Sequence, residues 1–534
     1  MNSRTRTDVL LIAGFCGFLF FYGLGQFGLI GADEPRYAQV AREMLARHDW
    51  ITPVLWGKPW LEKPPLYYWQ AMIAYSIFGV SDWTARVPSA FNATILVVVV
   101  YLFFRRFRRG VEVDAALILA SSAGIIGYSR AASTDMALST TFGIAMLAWW
   151  AWREDGSRLY LALFYVSLAL GTLAKGPIAP FLAALIIAAQ SGSLGEWNWM
   201  RKTVWLPGIV LFCFLALPWY IAVQLRNPNF LREFILQHNL ERFSSNLYHH
   251  AEPFWYFFPV TLLALVPWLV FVIAAIAETL RVWWRERRAH ALDLELQFSH
   301  FTVIWLVLPV LFFSISQSKL PGYILPAVPA GAVLLAEYLR QHGEGSARVS
   351  KVVAILHSVI ASGIVIPSLL IVYLVRQHRM PTGEPIFIAV AVTFVLTAAI
   401  VLTLASRLGL RMLRFVTLIP VVLSVAAVLR WGGTALDQTL SARPVAREIF
   451  GMETKPLPLA VDGVSRELEY GLTFYRNSLT IRYEYSPVPA GEHLVVVPEG
   501  WQSELRQKLG SRRISFLGHY APQHVDYFWV SAEK

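Results

Sequence analysis

The chain has 534 residues, of which 56% are hydrophobic and 15% charged. A soluble domain runs nearer ~45–50% apolar and about 25% charged, so disorder, a collagen-like chain and an ordinary cytosolic enzyme are excluded. The formal net charge of +11 would point to nucleic acid in a soluble protein, but in a membrane chain it is first a topology signal. Cys16 and Cys213 both fall in apolar blocks, which excludes a disulfide framework or a cysteine zinc site.

A bilayer core about 30 Å thick needs roughly 20 apolar residues per helix. About thirteen such blocks follow one another, near 8–30, 86–104, 112–129, 135–152, 159–174, 176–190, 203–223, 256–281, 299–316, 322–339, 351–375, 385–405 and 415–432. The fold class is therefore a polytopic α-helical membrane protein. The short blocks at 159–190, broken by Lys175-Gly176-Pro177, predict a helical hairpin. The first block is too long for a cleaved signal peptide and has no small-residue cleavage site. Gly23–Gly28 fits G-x-G-x-x-G, but inside an apolar block it reads as helix packing rather than a dinucleotide loop. With the N-terminus inside, Lys and Arg are about twofold denser in the inner loops than in the outer ones. This predicts N-in, C-out, and makes the basic excess membrane anchoring rather than a nucleic-acid surface.

Two outer loops are long, 31–85 and 224–255. After the last block, 457–461, 479–485, 494–498, 514–520 and 525–531 read as strands, with helices at 464–475 and 500–510. The expected division is a transmembrane part, 1–432, and a small α/β domain outside the membrane, 433–534.

The first outer loop opens Gly31-Ala-Asp-Glu-Pro-Arg-Tyr37, and apolar residues then recur at helical spacing through Leu45. That predicts an amphipathic helix lying in the membrane interface. Asp33 and Glu34 before Pro35 suit a helix cap; the alternative is a carboxylate held in a cavity. Further on come Glu62-Lys63-Pro64-Pro65-Leu-Tyr-Tyr-Trp69, where prolines stiffen the backbone around a lysine. Asp135, in Thr-Asp-Met, Lys175, in Ala-Lys-Gly-Pro, and Lys319, in Ser-Lys-Leu-Pro-Gly-Tyr323, fall at outer helix ends. Charges at membrane depth are costly and mark functional candidates, and all of these converge on one side. A transporter would instead place its charges within broken helices inside the membrane.

Together these motifs resemble the polyprenyl-phosphate-dependent membrane glycosyltransferases of the GT-C fold. The nearest branch is similar to the bacterial transferases that move 4-amino-4-deoxy-L-arabinose onto lipid A; protein O-mannosyltransferases are more distant. The resemblance covers about 10–340, and the C-terminal third matches only in architecture. It implies an undecaprenyl-phosphate-type sugar donor, an acceptor such as lipid A or another periplasmic glycan or protein, and inversion at the sugar. It also implies a bacterial inner-membrane location with a periplasmic C-terminal domain. Asp33 and Asp135 match the two cavity acids, with Glu34 beside the first. Lys63 and Tyr323 match donor-phosphate contacts, Arg242 matches more loosely, and Lys319 is of the right chemical type. Arg36, Tyr37 and Lys175 line the same cavity. No cofactor is required for the chemistry. A structural zinc on Glu62 with His238, His249 or His250 has suitable ligand types but no recognisable zinc spacing.

Overall fold

The computed structural model describes residues 3–234, 252–289, 293–342, 350–377, 381–406 and 409–533. Among these, eight helices are long and apolar enough to cross a membrane. They become nine if Phe254–Ala264 and Leu269–Arg287, which meet at a bend of 112°, make one span. The other four apolar blocks are also helical but fall short of that measure. The first is a helix, Ser3–Cys16, that runs through a π-turn to Phe21 and then gives way to turns. The second breaks at Ser121-Ser122. Thr134–Asp155 is long enough, but threonines and tryptophans dilute its apolar character. Ile178–Leu194 has 17 residues. The hairpin expected at 159–190 is present, with Gly176 at a φ of 84° ending Arg158–Lys175.

Local signals set the ends of the helices that hold the site. Ser81 caps Asp82–Phe107 in a reciprocal capping box with Thr84. The Ser133 side chain accepts the Asp135 amide at the start of Thr134–Asp155. These two helices pack on each other, the second also packs on Arg158–Lys175, and its Trp149 and Trp150 are fully buried against Phe298 and Phe301.

The segment 22–32 is not helix, which corrects the reading of Gly23–Gly28 as helix packing. A Cβ on Gly28 would clash with the Ser441 and Tyr475 hydroxyls. The motif lets the backbone approach the C-terminal domain closely.

That domain carries a five-stranded sheet: β3 (Leu459–Val461), β4 (Thr480–Arg482), β5 (His493–Pro498), β6 (Ile514–Tyr520) and β7 (Val525–Val530), in the order β4-β3-β5-β7-β6. A two-residue-strand hairpin in the first loop, Val54–Leu55 with Lys58–Pro59, supplies β1 and β2. β3 runs parallel to β4 and β5, while β7 is antiparallel to β5 and β6. The central β5 is apolar on both faces. Leu494 and Val496 pack towards helices Arg443–Met452 and Arg466–Arg476, and Val495 and Val497 towards Gln502–Leu509.

The domain is fastened to the first loop. Arg443 pairs with Asp82 at 2.6 Å, Tyr475 donates to Asp82 at 2.7 Å, and Asp437 accepts the Gly28 amide at 2.7 Å. Helix Arg466–Arg476 lies against helix Asp33–Ala46, where Arg42 donates to the Phe474 carbonyl at 2.6 Å. The amphipathic helix of the first loop thus exists, but its apolar face packs on protein. Tyr37, Val40, Ala41 and Met44 are buried against Tyr67, Tyr68, Ala71 and Met72 of helix Leu66–Phe78.

Candidate functional site

Helix Asp33–Ala46 starts with two acids whose surroundings differ. Glu34 is buried, and its carboxylate is saturated. Arg86 reaches it with two N–H groups at 3.0 and 2.7 Å, and the Ala132 and Ile30 amides each donate at 2.7 Å. Arg86, 1% exposed, also donates to the Leu24, Phe27 and Gly28 carbonyls at 2.8 Å. These bonds tie the first loop, helix Asp82–Phe107 and the turn at 130–133 into one unit.

Asp33 is 53% exposed, and its one ion pair among the described residues is with Arg36, one turn along its own helix. The Arg36 guanidinium lies over Trp60 at 5.0 Å, Tyr37 at 5.3 Å and Tyr470 at 5.8 Å. Burial works against its charge, but Tyr37, Glu62 and Asp33 together outweigh that and hold it above the ordinary arginine value. Glu62 stands 3.4 Å from Lys63 through one carboxylate oxygen and 3.8 Å from Arg36 through the other, so it lies between the two cations.

The second group is Asp135, Lys175 and Tyr323. Lys175 pairs with Asp135, Ser133 donates to the other carboxylate oxygen at 2.6 Å, and the Lys175 ammonium lies 4.9 Å from the centre of the Tyr323 ring. Gly322 brings its backbone against the Asp135 carboxylate, where a Cβ would clash. Tyr323 is held between Phe257 and Phe313. The two groups share one end of the bundle: the charge of Lys63 acts on Asp135, and Tyr128 lies within electrostatic reach of both Asp135 and Asp33.

Lys319 is buried and spends its ammonium on the Ser316 and Glu252 carbonyls, at 2.5 and 2.9 Å. It closes the end of helix Leu294–Ile315. Arg242, His238, His249 and His250 lie outside the described residues. Among the described residues no group of three His, Cys, Asp or Glu is placed to hold a metal. Glu62, the described member of the zinc set, already faces two cations.

Sequence reasoning missed several residues at the site. Tyr470 comes from the C-terminal domain; it packs on Trp56 with ring centres 5.4 Å apart and planes tilted by 30°, and it faces Arg36. Trp56 is presented at the tip of the β1–β2 hairpin, where Trp56 and Gly57 have φ of 55° and 75°. Both positive values fit a type I′ turn, and Glu43 fixes it by accepting both amides at 2.9 and 3.0 Å. Around Arg36, the buried Arg36 Nε and Trp56 Nε1 have no hydrogen-bond partner among the described residues, and the Trp60 indole faces the Tyr68 hydroxyl. Burial raises the Tyr68 hydroxyl above its ordinary value, so it stays protonated as a donor. Buried polar groups are rarely left without partners, and a cluster of donors beside aromatic faces suits a ligand rich in hydroxyls and phosphate oxygens. In the sequence, Trp56, Trp60 and Tyr68 were visible only as interface aromatics.

Residues 9–233 match the family model described as dolichyl-phosphate-mannose-protein mannosyltransferase. The chain is 32% identical over 350 residues to the undecaprenyl phosphate-alpha-4-amino-4-deoxy-L-arabinose arabinosyl transferase of Pseudomonas aeruginosa (strain UCBPP-PA14), covering 64% of this chain and 60% of that one. It is 30% identical over 362 residues to the same-named protein of Edwardsiella ictaluri (strain 93-146), covering 66% and 63%. The matched part thus spans about three fifths of those curated relatives. The fold aligns with the crystal structure of ArnT from Cupriavidus metallidurans bound to undecaprenyl phosphate, with a TM-score of 0.77, 21% identity and coverage of 98% and 97%. The apo structure of the same protein gives 0.78, 20%, 99% and 98%.

Proposed function

We propose that this chain, a multi-pass membrane protein of the GT-C fold related in sequence to the aminoarabinose transferases, is itself a polyprenyl-phosphate-dependent glycosyltransferase. Its donor on this reading is an undecaprenyl-phosphate sugar, and its acceptor is lipid A at the periplasmic face of the inner membrane. The carrying observation is that Lys63, whose charge acts on Asp135, shares the carboxylate of Glu62 with Arg36, which pairs in turn with Asp33.

The acceptor oxygen attacks the anomeric carbon from the face opposite the carrier phosphate. The bond from that carbon to the phosphate oxygen breaks, its electron pair leaves with the phosphate, and the sugar configuration inverts. The leaving group gains negative charge, so a cation and a hydroxyl placed beside it lower the barrier. We assign this to Lys63 and Tyr323, with Arg242 as a further cation. The sugar becomes partly cationic as the bond breaks, and a nearby carboxylate favours that state. Asp33, half exposed and paired with Arg36 on its own helix, takes this position. With a hydroxyl acceptor it also takes the proton; with an ionised phosphate acceptor it orients the sugar through its amino group. Asp135 and Lys175 position Tyr323. Glu34 and Lys319, whose polar atoms are consumed within the protein, are assigned to anchoring. Glu62, already balanced by Arg36 and Lys63, is assigned to fixing those two cations, and no step runs through a metal.

Mass spectrometry of lipid A and of envelope glycans, from cells with and without the gene, tests the reading. The expected result is loss of a pentosamine from lipid A. An unchanged lipid A with an altered protein glycan would replace this acceptor by a protein, as the mannosyltransferase family model suggests.

A further inference from the structure

A cavity of about 410 Å³ lies behind the Glu34–Arg86 pair, away from Lys63 and Tyr323. Its walls are almost wholly apolar, built from Ile126 and Gly127, the Val266-Pro267 bend and the helices carrying Ile364, Val421 and Val425. Its charged lining residues are Arg130, Arg86 and Glu34, and Ser121, Ser368 and Ser424 add hydroxyl groups. A volume of this size falls within the ~300–1,000 Å³ range of ligand pockets and suits a single hydrocarbon chain.

Arg130 is the unusual wall residue. Arg86 is answered by Glu34, but among the described residues Arg130 has no carboxylate partner. Its guanidinium donates to the Leu19 and Gly23 carbonyls, each at 3.0 Å, and Arg86 is the charge acting on it. Two of its five N–H donors are thus used, both on uncharged carbonyls. An apolar cavity lined by a half-buried cation without a counter-charge is complementary to an amphiphile with an anionic head.

We propose that this cavity binds a membrane glycerophospholipid with an anionic headgroup, one acyl chain filling the apolar part and its phosphate on Arg130. The site is separate from the donor-phosphate group and does not depend on the proposed transferase reaction.

The test uses the full chain purified in detergent, titrated with phosphatidylglycerol or phosphatidylethanolamine and read by native mass spectrometry and thermal shift. One basic group near the membrane surface predicts about fivefold tighter binding of phosphatidylglycerol. Arg130→Gln should erase that preference while keeping chain binding. Gly127 lines the cavity and has open space where a Cβ would stand, so Gly127→Leu should fill it. That variant gains helix propensity, so it should melt higher without lipid yet lose stabilisation by phosphatidylglycerol. The opposite signs separate a filled site from a misfolded chain. Equal binding of the two lipids, a preference that survives Arg130→Gln, or wild-type binding by Gly127→Leu would overturn the proposal. So would displacement of phosphatidylglycerol from the cavity by undecaprenyl phosphate.

Discussion

Asp33 and Glu34 are neighbours in sequence, yet they belong to two regions built on opposite principles. Behind Glu34, carboxylate, guanidinium, amides and carbonyls are all matched at hydrogen-bond distance. In front, around Asp33, Glu62 faces Lys63 and Arg36 at 3.4 and 3.8 Å, and among the described residues the buried Arg36 Nε and Trp56 Nε1 have no hydrogen-bond partner. Saturated networks rigidify, and unsaturated ones are costly unless a ligand completes them. Two adjacent residues of one helix therefore divide a fixed anchor from a site left open for substrate, and the anchor holds the open site in place.

The sharpest way to break this contrast is to neutralise the front acid. Asp33→Asn should lower sugar transfer by about 10²–10⁴-fold while leaving the melting temperature unchanged. Lys63→Ala removes the cation assigned to the leaving phosphate and should cost about 10²–10³-fold in kcat, read from release of free lipid phosphate. Glu34→Gln acts on the other region. It leaves Arg86 charged and buried, which costs about 3–5 kcal/mol, so the expected readout is loss of folded protein in detergent rather than slower turnover by what remains. Tyr470→Ala should have the smallest effect. Loss of the aromatic face shared with Arg36 and Trp56 should raise KM by about 3–10-fold with kcat nearly constant. A larger drop in kcat would mean that the C-terminal domain takes part in the chemistry.

The same contrast explains what the sequence could show. Strands β3 to β7 were legible because apolar runs alternate with turn residues, and the helical blocks because length and hydropathy are local properties. Asp33, Lys63, Asp135, Lys175 and Tyr323 were legible as charged or aromatic groups beside prolines and helix starts. The division of labour between Asp33 and Glu34 was not, because it depends on Arg86, 52 residues away from Glu34 at the edge of an apolar block. Tyr470 was hidden for the same reason, since only the docking of helix Arg466–Arg476 on helix Asp33–Ala46 brings it to Arg36. The turn at 22–32 was absorbed into a span because its composition is apolar, although Gly28 serves contact with Ser441 and Tyr475.

The most direct test compares turnover per folded molecule for Asp33→Asn and Glu34→Gln, purified side by side and given the same lipid-linked sugar. The predicted result is a fully folded, nearly silent Asp33→Asn, and a Glu34→Gln sample that is poorly folded but whose folded fraction turns over close to wild type. A fully active Asp33→Asn, or a stable Glu34→Gln that is inactive, would contradict the assignment of chemistry to the front acid and anchoring to the one behind it.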